Sequence, residues 1–300
     1  MTAMTAPEPG VEAPNVLRER AIGLVRRFGR FVRTQPVGAL GLVLVILILV
    51  IAIFGEWMVR TDPNALSPAF QEGPSTAHWF GTDNNGRDYY SRMMSGGRPT
   101  IALAVIGVIF GFIGGTFFGV VSAWAKGWVD LLFQRIVDSF LALPGIILAL
   151  FLVTVLGRDT LDLIIVLTLL VIPPTIRVAR SVALSLLNEP YIEAAYAMGA
   201  RTPRVLGRHL LPNLLPPVAV LITTSIGSLL LISAGLSFLG LGVQPPTPEW
   251  GNLLNESRGE ILYAPHLAIF PGIAISLAVF GVNLFGDAIR DVWDPRLRSL

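Results

Sequence analysis

Six long runs of apolar residues set the pattern of this chain, and polar segments separate each run from the next. A helix crosses the hydrocarbon core of a membrane in about 17 to 25 residues, a length that most of the runs match. The fourth run is shorter and is interrupted by Pro173-Pro174. The pattern predicts an all-α polytopic membrane protein with six transmembrane helices, near residues 37–55, 100–123, 140–156, 161–176, 214–241 and 267–285.

The basic residues are spread unevenly between the two sides that six crossings would create. Sixteen of the 22 Lys and Arg residues fall on the side that holds both termini and the polar segment 177–212. Loops on the cytoplasmic side of a membrane protein carry the excess of Lys and Arg. The N-terminus, the C-terminus and segment 177–212 are therefore predicted to be cytoplasmic.

This topology divides the chain into four parts. Residues 1–36 form a cytoplasmic arm, in which 16–32 is predicted to be an amphipathic helix on the membrane surface. The first transmembrane helix covers 37–59, and an extracytoplasmic loop follows. The parts, in order, are the arm 1–36, the first helix 37–59, the loop 60–98, and a transmembrane domain 99–300 that contains five spans and the cytoplasmic segment 177–212.

Composition supports a membrane protein and removes several kinds of chemistry. Hydrophobic residues make up 53% of the chain and charged residues only 14%, against about 25% charged in a soluble domain. The absence of cysteine excludes disulfides and thiolate sites, and the three histidines are too scattered for a metal site. The only lysine, Lys126, lies in Ala-Lys-Gly, so a phosphate-binding GxxxxGK[ST] loop is impossible. We expect no catalytic site and no cofactor in this chain.

Two segments outside the main runs, which mix polar residues with aromatic and long apolar ones, are predicted to lie in the membrane interface. The first is a short helix at 88–95, separate from the second span, and the second lies between the fifth and sixth spans. Aromatic and long apolar side chains are typical of that depth. The residues concerned are Tyr89, Tyr90, Met93 and Met94 in the first, and Trp250, Leu253, Leu254, Ile261, Leu262 and Tyr263 in the second.

The longest polar stretch in the apolar second half of the chain, residues 188–212, is predicted to fold as two short helices joined by a tight turn. Asn188 is suited to cap the first helix, with Pro190 in its opening turn. Gly199 stands where a left-handed residue would end that helix. Thr202 is predicted to begin the second helix and Pro212 to end it. Two short amphipathic helices between membrane spans would form a projection suited to docking by another protein.

The spacing inside this projection resembles the cytoplasmic loop by which membrane subunits of ATP-binding-cassette (ABC) importers dock on their ATPases. That pattern is E-A-A, three residues, G, nine residues, a hydrophobic position and L-P. His209 occupies the position that is usually isoleucine, a departure that the peptide-importer branch shares. The resemblance implies an ATPase-coupling site made of Glu193, Ala194, Ala195, Gly199, His209, Leu211 and Pro212.

Further strings resemble the same branch, and together they run from about Trp79 to Arg298. Gly81–Arg92 matches a G-T-D-x-x-G-R-D-x-x-S-R string that stands just before the second span. Segments 129–145, 236–251 and 284–298 are similar as well. The chain is thus identified as similar to the C-type permease subunit of dipeptide, oligopeptide or nickel ABC importers.

The resemblance implies a type I importer permease fold in the inner (plasma) membrane, surrounded by lipid and importing di- or oligopeptides. It implies as partners a homologous permease, two ABC ATPase domains that hold ATP and Mg²⁺, and an extracytoplasmic solute-binding protein. Nickel or another small solute stays open as the cargo. A membrane scaffold that only holds an ATPase is a second alternative.

Other interpretations carry less weight. Ionisable residues are nearly absent inside the spans, which disfavours an ion-coupled carrier. The arginines of the projection suit a DNA-binding helix-turn-helix, but the flanking spans leave no separate domain, so we expect no nucleic acid partner. Small residues such as Gly111 and Gly115 suit either helix packing or a pore lining, and Pro173-Pro174 and Pro216-Pro217 suit either hinges or static kinks.

Overall fold

A computed structural model describes residues 35–293 of the chain. The amphipathic helix predicted at 16–32 and the end of the 284–298 string lie outside these residues. The described chain is helical, in the order α1 Pro36–Met58, α2 Tyr89–Ala125, α3 Gly127–Leu141, α4 Gly145–Leu156, α5 Thr160–Leu187, α6 Pro190–Ala197, α7 Thr202–Val205, a π-helical turn Leu206–Leu210, α8 Leu211–Phe238, α9 Trp250–Glu256, a 3₁₀ turn Ser257–Gly259 and α10 His266–Trp293.

Five helices are long and apolar enough to cross a membrane, and there are six crossings if a bent pair of shorter helices counts as one. The five are α1, α2, α5, α10 and the continuous stretch Thr202–Phe238. The third predicted run differs, because α3 and α4 meet at 95°. Leu143 precedes Pro144, and the proline ring excludes the helical conformation from the residue before it, which breaks the helix there.

The two predicted interfacial helices are placed differently by the structure. Residues 88–95 are the first turns of α2, which runs without a break for 37 residues from its cap at Asp88. Met93 and Trp250 are buried, and the Trp250 indole Nε1 donates to the Met93 carbonyl at 2.9 Å, so that the buried N–H has a partner. The predicted separate helix at 88–95 was therefore wrong. Five residues that were predicted to face the membrane interface are instead buried inside the protein: Tyr89, Met93, Met94, Trp250 and Leu253.

A ladder of small residues joins α2 to α5. Four glycines of α2 are spaced four residues apart, so that they lie on one face of the helix, and each faces a side chain of α5 at the same spacing. A Cβ added at Gly111 would lie 2.5 Å from Cβ of Val171. This close approach favours helix packing over a pore lining for these glycines. The facing pairs are Gly107 with Leu167, Gly111 with Val171, Gly115 with Thr175 and Gly119 with Ala179.

The helices leave two polar regions at opposite ends of the bundle. At one end the Tyr89 hydroxyl, which begins α2, donates to the carbonyl of Leu267 near the start of α10 at 2.5 Å. We call residues 59–88 with 239–265 at this end the platform. At the other end, α5 stops at Leu187 and the 188–212 loop follows. Prolines 173, 174, 216 and 217 lie inside α5 and α8, which continue through them.

Candidate functional site

The 188–212 loop begins where α5 ends, and its first cap differs from the prediction. Glu189, not Asn188, is the N-cap of α6, and its side chain makes no capping hydrogen bond. Pro190 is the first helical residue, as predicted, and it holds the preceding Glu189 in the extended conformation that a cap needs. The Asn188 amide instead donates to the Leu184 carbonyl at 2.9 Å and finishes α5.

Gly199 ends α6 in the left-handed conformation, with φ of 82°, as the sequence predicted. The Gly199 N–H donates to the Tyr196 carbonyl at 2.9 Å, and the Ala200 N–H donates to the Ala195 carbonyl at 3.0 Å. This pair of bonds is the Schellman arrangement, which also brings the side chains of Ala195 and Ala200 together. The spacing of Ala195 and Gly199 thus follows from the geometry of a helix end.

A small separate core holds the loop together. Ile192, Ala195 and Val205 are buried in it, with Leu187 and Ala200 packed against them. Ala195 therefore faces inward, and its packing against Val205 joins α6 to α7. Because Leu187 is the last residue of α5, this core also fixes the loop to a membrane helix.

The second helix of the loop does not stop at Pro212, contrary to the prediction. α7 begins at Thr202, after Arg201 as N-cap and without a side-chain cap. It passes through the π-helical turn Leu206–Leu210, which contains His209, and continues as α8. A π turn is wider than an α turn, so it makes room for the ring of Pro212, which would otherwise clash with a carbonyl of the preceding turn.

The outer surface of the loop is basic with an apolar tip. Ala195, Gly199 and His209 line an open hollow of about 430 Å³, together with Met198, Ala200, Arg204 and Arg208. Met198 is 82% exposed at its edge. Of the other predicted coupling residues, Glu193 and Ala194 lie exposed on α6, and Leu211 and Pro212 lie exposed at the start of α8.

A second polar site, which the sequence did not predict, is a cluster of four charged side chains at the platform end of the bundle: Asp83, Arg87, Arg92 and Glu256. Arg92, on the first turn of α2, is fully buried, and its guanidinium pairs with Asp83 at 2.7 Å and with Glu256 at 3.1 Å. Arg87 pairs with the same two carboxylates at 2.6 and 3.2 Å. The cluster has no net charge and joins the loop after α1, α2 and α9.

The Gly81–Arg92 string supplies most of this end of the molecule. Gly81 and Gly86 have positive φ, and Asp83 accepts from the backbone N–H groups of Asn85 and Arg87, which forms a tight turn before α2. Asp88 caps α2 through Ser91 and bonds to His78. Burial acts to raise the pKa of Asp88, but the hydrogen bonds from His78 and Ser91 outweigh it and hold that pKa below its ordinary value.

Among residues 35–293 no three His, Cys, Asp or Glu side chains come together as a metal site would require. The geometry suits contact with other proteins: a rigid projection at one end and a cross-linked surface at the other.

Comparison with known proteins identifies the family of this chain. Residues 115–299 match the family described as binding-protein-dependent transport system inner membrane component. The chain is 38% identical over 288 residues to the glutathione transport system permease protein GsiD of Pectobacterium atrosepticum, covering 95% of both chains. It is 41% identical over 274 residues to GsiD of Escherichia coli O6:K15:H31, covering 91% of this chain and 90% of the other.

Solved structures show the same fold. Two inward-facing structures of the MetNI methionine ABC transporter match with TM-scores of 0.52 and 0.55, at 24% and 22% identity, covering 65% and 68% of this chain. Those matches cover 93% and 96% of the solved chains. The family match and the GsiD relatives, together with five to six helices long and apolar enough to cross a membrane, describe a multi-pass inner-membrane protein that leaves ATP hydrolysis to separate ATPase subunits. The chain belongs to the inner-membrane-component family of binding-protein-dependent transport systems, and it is a permease subunit of an ABC importer.

Proposed function

We propose that this subunit forms, with a homologous permease, the path by which di- and oligopeptides are imported across the cytoplasmic membrane. The observation that supports this most is its similarity, over 95% of the chain, to the permease of a glutathione transport system, because glutathione is itself a short peptide. The peptide-branch string Gly81–Arg92 and His209 favour the same class of cargo.

The proposed complex contains two ABC ATPase domains, which hold ATP and Mg²⁺, and an extracytoplasmic solute-binding protein. The 188–212 loop and both termini face the cytoplasm, in line with the excess of Lys and Arg on that side. The loop docks on an ATPase through its exposed side chains, with Met198 as an apolar anchor and Arg204 and Arg208 facing acidic residues.

Rigid connections suit the loop to transmit motion in this proposal. When ATP closes the ATPase pair, the docked loop moves with it. The core around Ala195 fixes the loop to the end of α5, and α7 continues through the π turn into α8. A displacement at the loop therefore reaches α5 and α8 directly, and these helices swing between outward and inward openings.

Uptake by the reconstituted complex tests the cargo. The permease pair, the ATPases and the binding protein are placed in proteoliposomes and offered glutathione, a dipeptide, a longer peptide and Ni²⁺. We expect saturable, ATP-dependent uptake of peptides. Uptake of Ni²⁺ and of no peptide would assign another cargo. ATPase binding without any uptake would favour a scaffold, and peptide uptake without ATP would favour a secondary carrier.

Replacement of Gly199 by valine tests the rigidity of the loop. The backbone there is left-handed and the space around an added Cβ is empty, so the cost is conformational and about 1 to 2 kcal/mol. We expect peptide uptake per ATP hydrolysed to fall in proteoliposomes. Gly199→Asn is the control, because asparagine tolerates this conformation. Wild-type coupling and uptake in Gly199→Val would contradict the role of this turn.

A further inference from the structure

The bend between α3 and α4 exposes irregular backbone at membrane depth. Residues 142–147 are all exposed in this subunit, and Pro144 offers the start of α4 no side-chain cap. The position is deep, because Gly145 lies beside Ile232 of α8: a Cβ added at Gly145 would be 3.6 Å from Cδ1 of Ile232. Ile232 is about 9 Å before the end of that helix. Irregular backbone at such a depth does not face lipid, since its polar groups would lack partners.

An exposed ion pair lies one turn below this bend. Arg177 of α5 bonds to Asp138 of α3, and the two side chains are 58% and 43% exposed. Arg177 lies about 15 Å before the end of α5 at Leu187, counting 1.5 Å for each residue. Charged side chains on a membrane helix face protein or water rather than lipid.

The bend and the ion pair border a single groove. A cavity of about 390 Å³ lies between α3, α4, α5 and α8, and its lining includes no charged side chain. Leu141 and Pro174 line it, each three residues along a helix from a member of the ion pair, so the pair lies at the mouth of the groove. Thr224, Ser225 and Ser228 bring hydroxyls to its wall.

We propose that this groove is this subunit's wall of the solute path, filled with water and with the passing peptide, and that Asp138 and Arg177 form the charged rim at its cytoplasmic mouth. The assignment rests on the proposed function for the identity of the solute. The hydroxyls of Thr224 and Ser228 donate to carbonyls of α8 at 3.1 and 3.0 Å, and their oxygen lone pairs can accept from the amide N–H groups of a peptide. A wall without charge lets peptides of differing side-chain charge pass.

Accessibility of single cysteines in the assembled importer tests the assignment. The chain contains no cysteine, so Ser228→Cys or Thr224→Cys introduces the only thiol of this subunit. A membrane-impermeant methanethiosulfonate reacts with thiols in water. The control is Ile113→Cys, on an apolar face of α2 where the isoleucine is 63% exposed. We expect the groove cysteines to react at least about tenfold faster than the control, and the added sulfonate to block uptake.

The nucleotide state and the cargo separate the possible outcomes. Reaction is measured without nucleotide and with a non-hydrolysed ATP analogue, and the extent of modification is read on this subunit by mass spectrometry. Groove cysteines as slow as the Ile113→Cys control in both states would overturn the proposal, because lipid or the partner permease would then cover the groove. Fast reaction in an importer that takes up no peptide would leave the groove assignment standing and refute the proposed cargo.

A charge reversal tests the rim separately. Asp138→Arg leaves two like charges at the mouth, whereas Asp138→Arg with Arg177→Asp restores the pair. We expect the single variant to lower peptide uptake severalfold and the double variant to recover it, with both assembling normally on the ATPases. Equal uptake by the single variant and the wild type would remove the rim from the path.

Discussion

Replacing Asp83 with alanine is expected to destabilise the protein by about 3 to 5 kcal/mol, because it leaves Arg92 buried and short of one of its two carboxylates. Arg92 is fully buried, and water therefore cannot replace the lost partner. Asp83 also accepts from two backbone N–H groups, so the turn before α2 loses its anchor at the same time.

Thermal unfolding of the purified complex measures this effect, and the apparent midpoint should fall by on the order of 10 °C. Glu72→Ala is the matched control, because Glu72 is an exposed carboxylate of the same segment. The double variant Asp83→Ala with Arg92→Met removes one charge of each sign and should recover part of the loss. A midpoint in Asp83→Ala equal to that in Glu72→Ala would show that the cluster contributes nothing to stability.

Replacing Met198 with aspartate is expected to release the ATPase. Met198 is an apolar side chain that is 82% exposed at the edge of a basic hollow. An exposed apolar anchor of this kind contributes about 2 kcal/mol or more when a partner covers it, so affinity should fall about 30-fold or more. The measurement is the yield of ATPase that co-purifies with the tagged permease, with ATP-dependent uptake as a second readout.

Leu262→Asp is the matched control for that substitution. Leu262 is 85% exposed, but it lies in the platform at the opposite end of the molecule, so its replacement should leave the ATPase yield unchanged. Glu193→Lys provides a second test of the same surface, since Glu193 is exposed on α6, and it should also lower the yield. Unchanged yields in both loop variants would contradict docking at this surface.

The sequence was sufficient where one residue decides the structure locally. Five of the six apolar runs fall on helices long and apolar enough to cross a membrane, because length and apolar content are enough for insertion. The third run falls on the bent pair α3 and α4. Gly199 was predicted correctly because a left-handed helix end strongly favours glycine. Asn188 was assigned to the wrong helix because it stands between two helices, and its amide finishes α5 as well as it would begin α6.

Other features depend on residues far apart in the chain. Arg92 and Glu256 form an ion pair although 164 positions separate them, and no local pattern predicts that pairing. Pro212 was predicted to end a helix because the rule for proline assumes an α turn, whereas the chain has a π turn there. The 95° bend between α3 and α4 lies beside α8, far along the chain, and no local pattern predicts that neighbour.

The most direct test of the account is a photo-crosslinking amino acid at position 198, incorporated in growing cells that express the whole importer. We expect a crosslink from this position to the ATPase subunit, lost when the ATPase is deleted and absent from the same probe at position 262. Crosslinks from position 198 to the extracytoplasmic binding protein, or to lipid alone, would contradict the claim that the 188–212 loop receives the work of ATP hydrolysis.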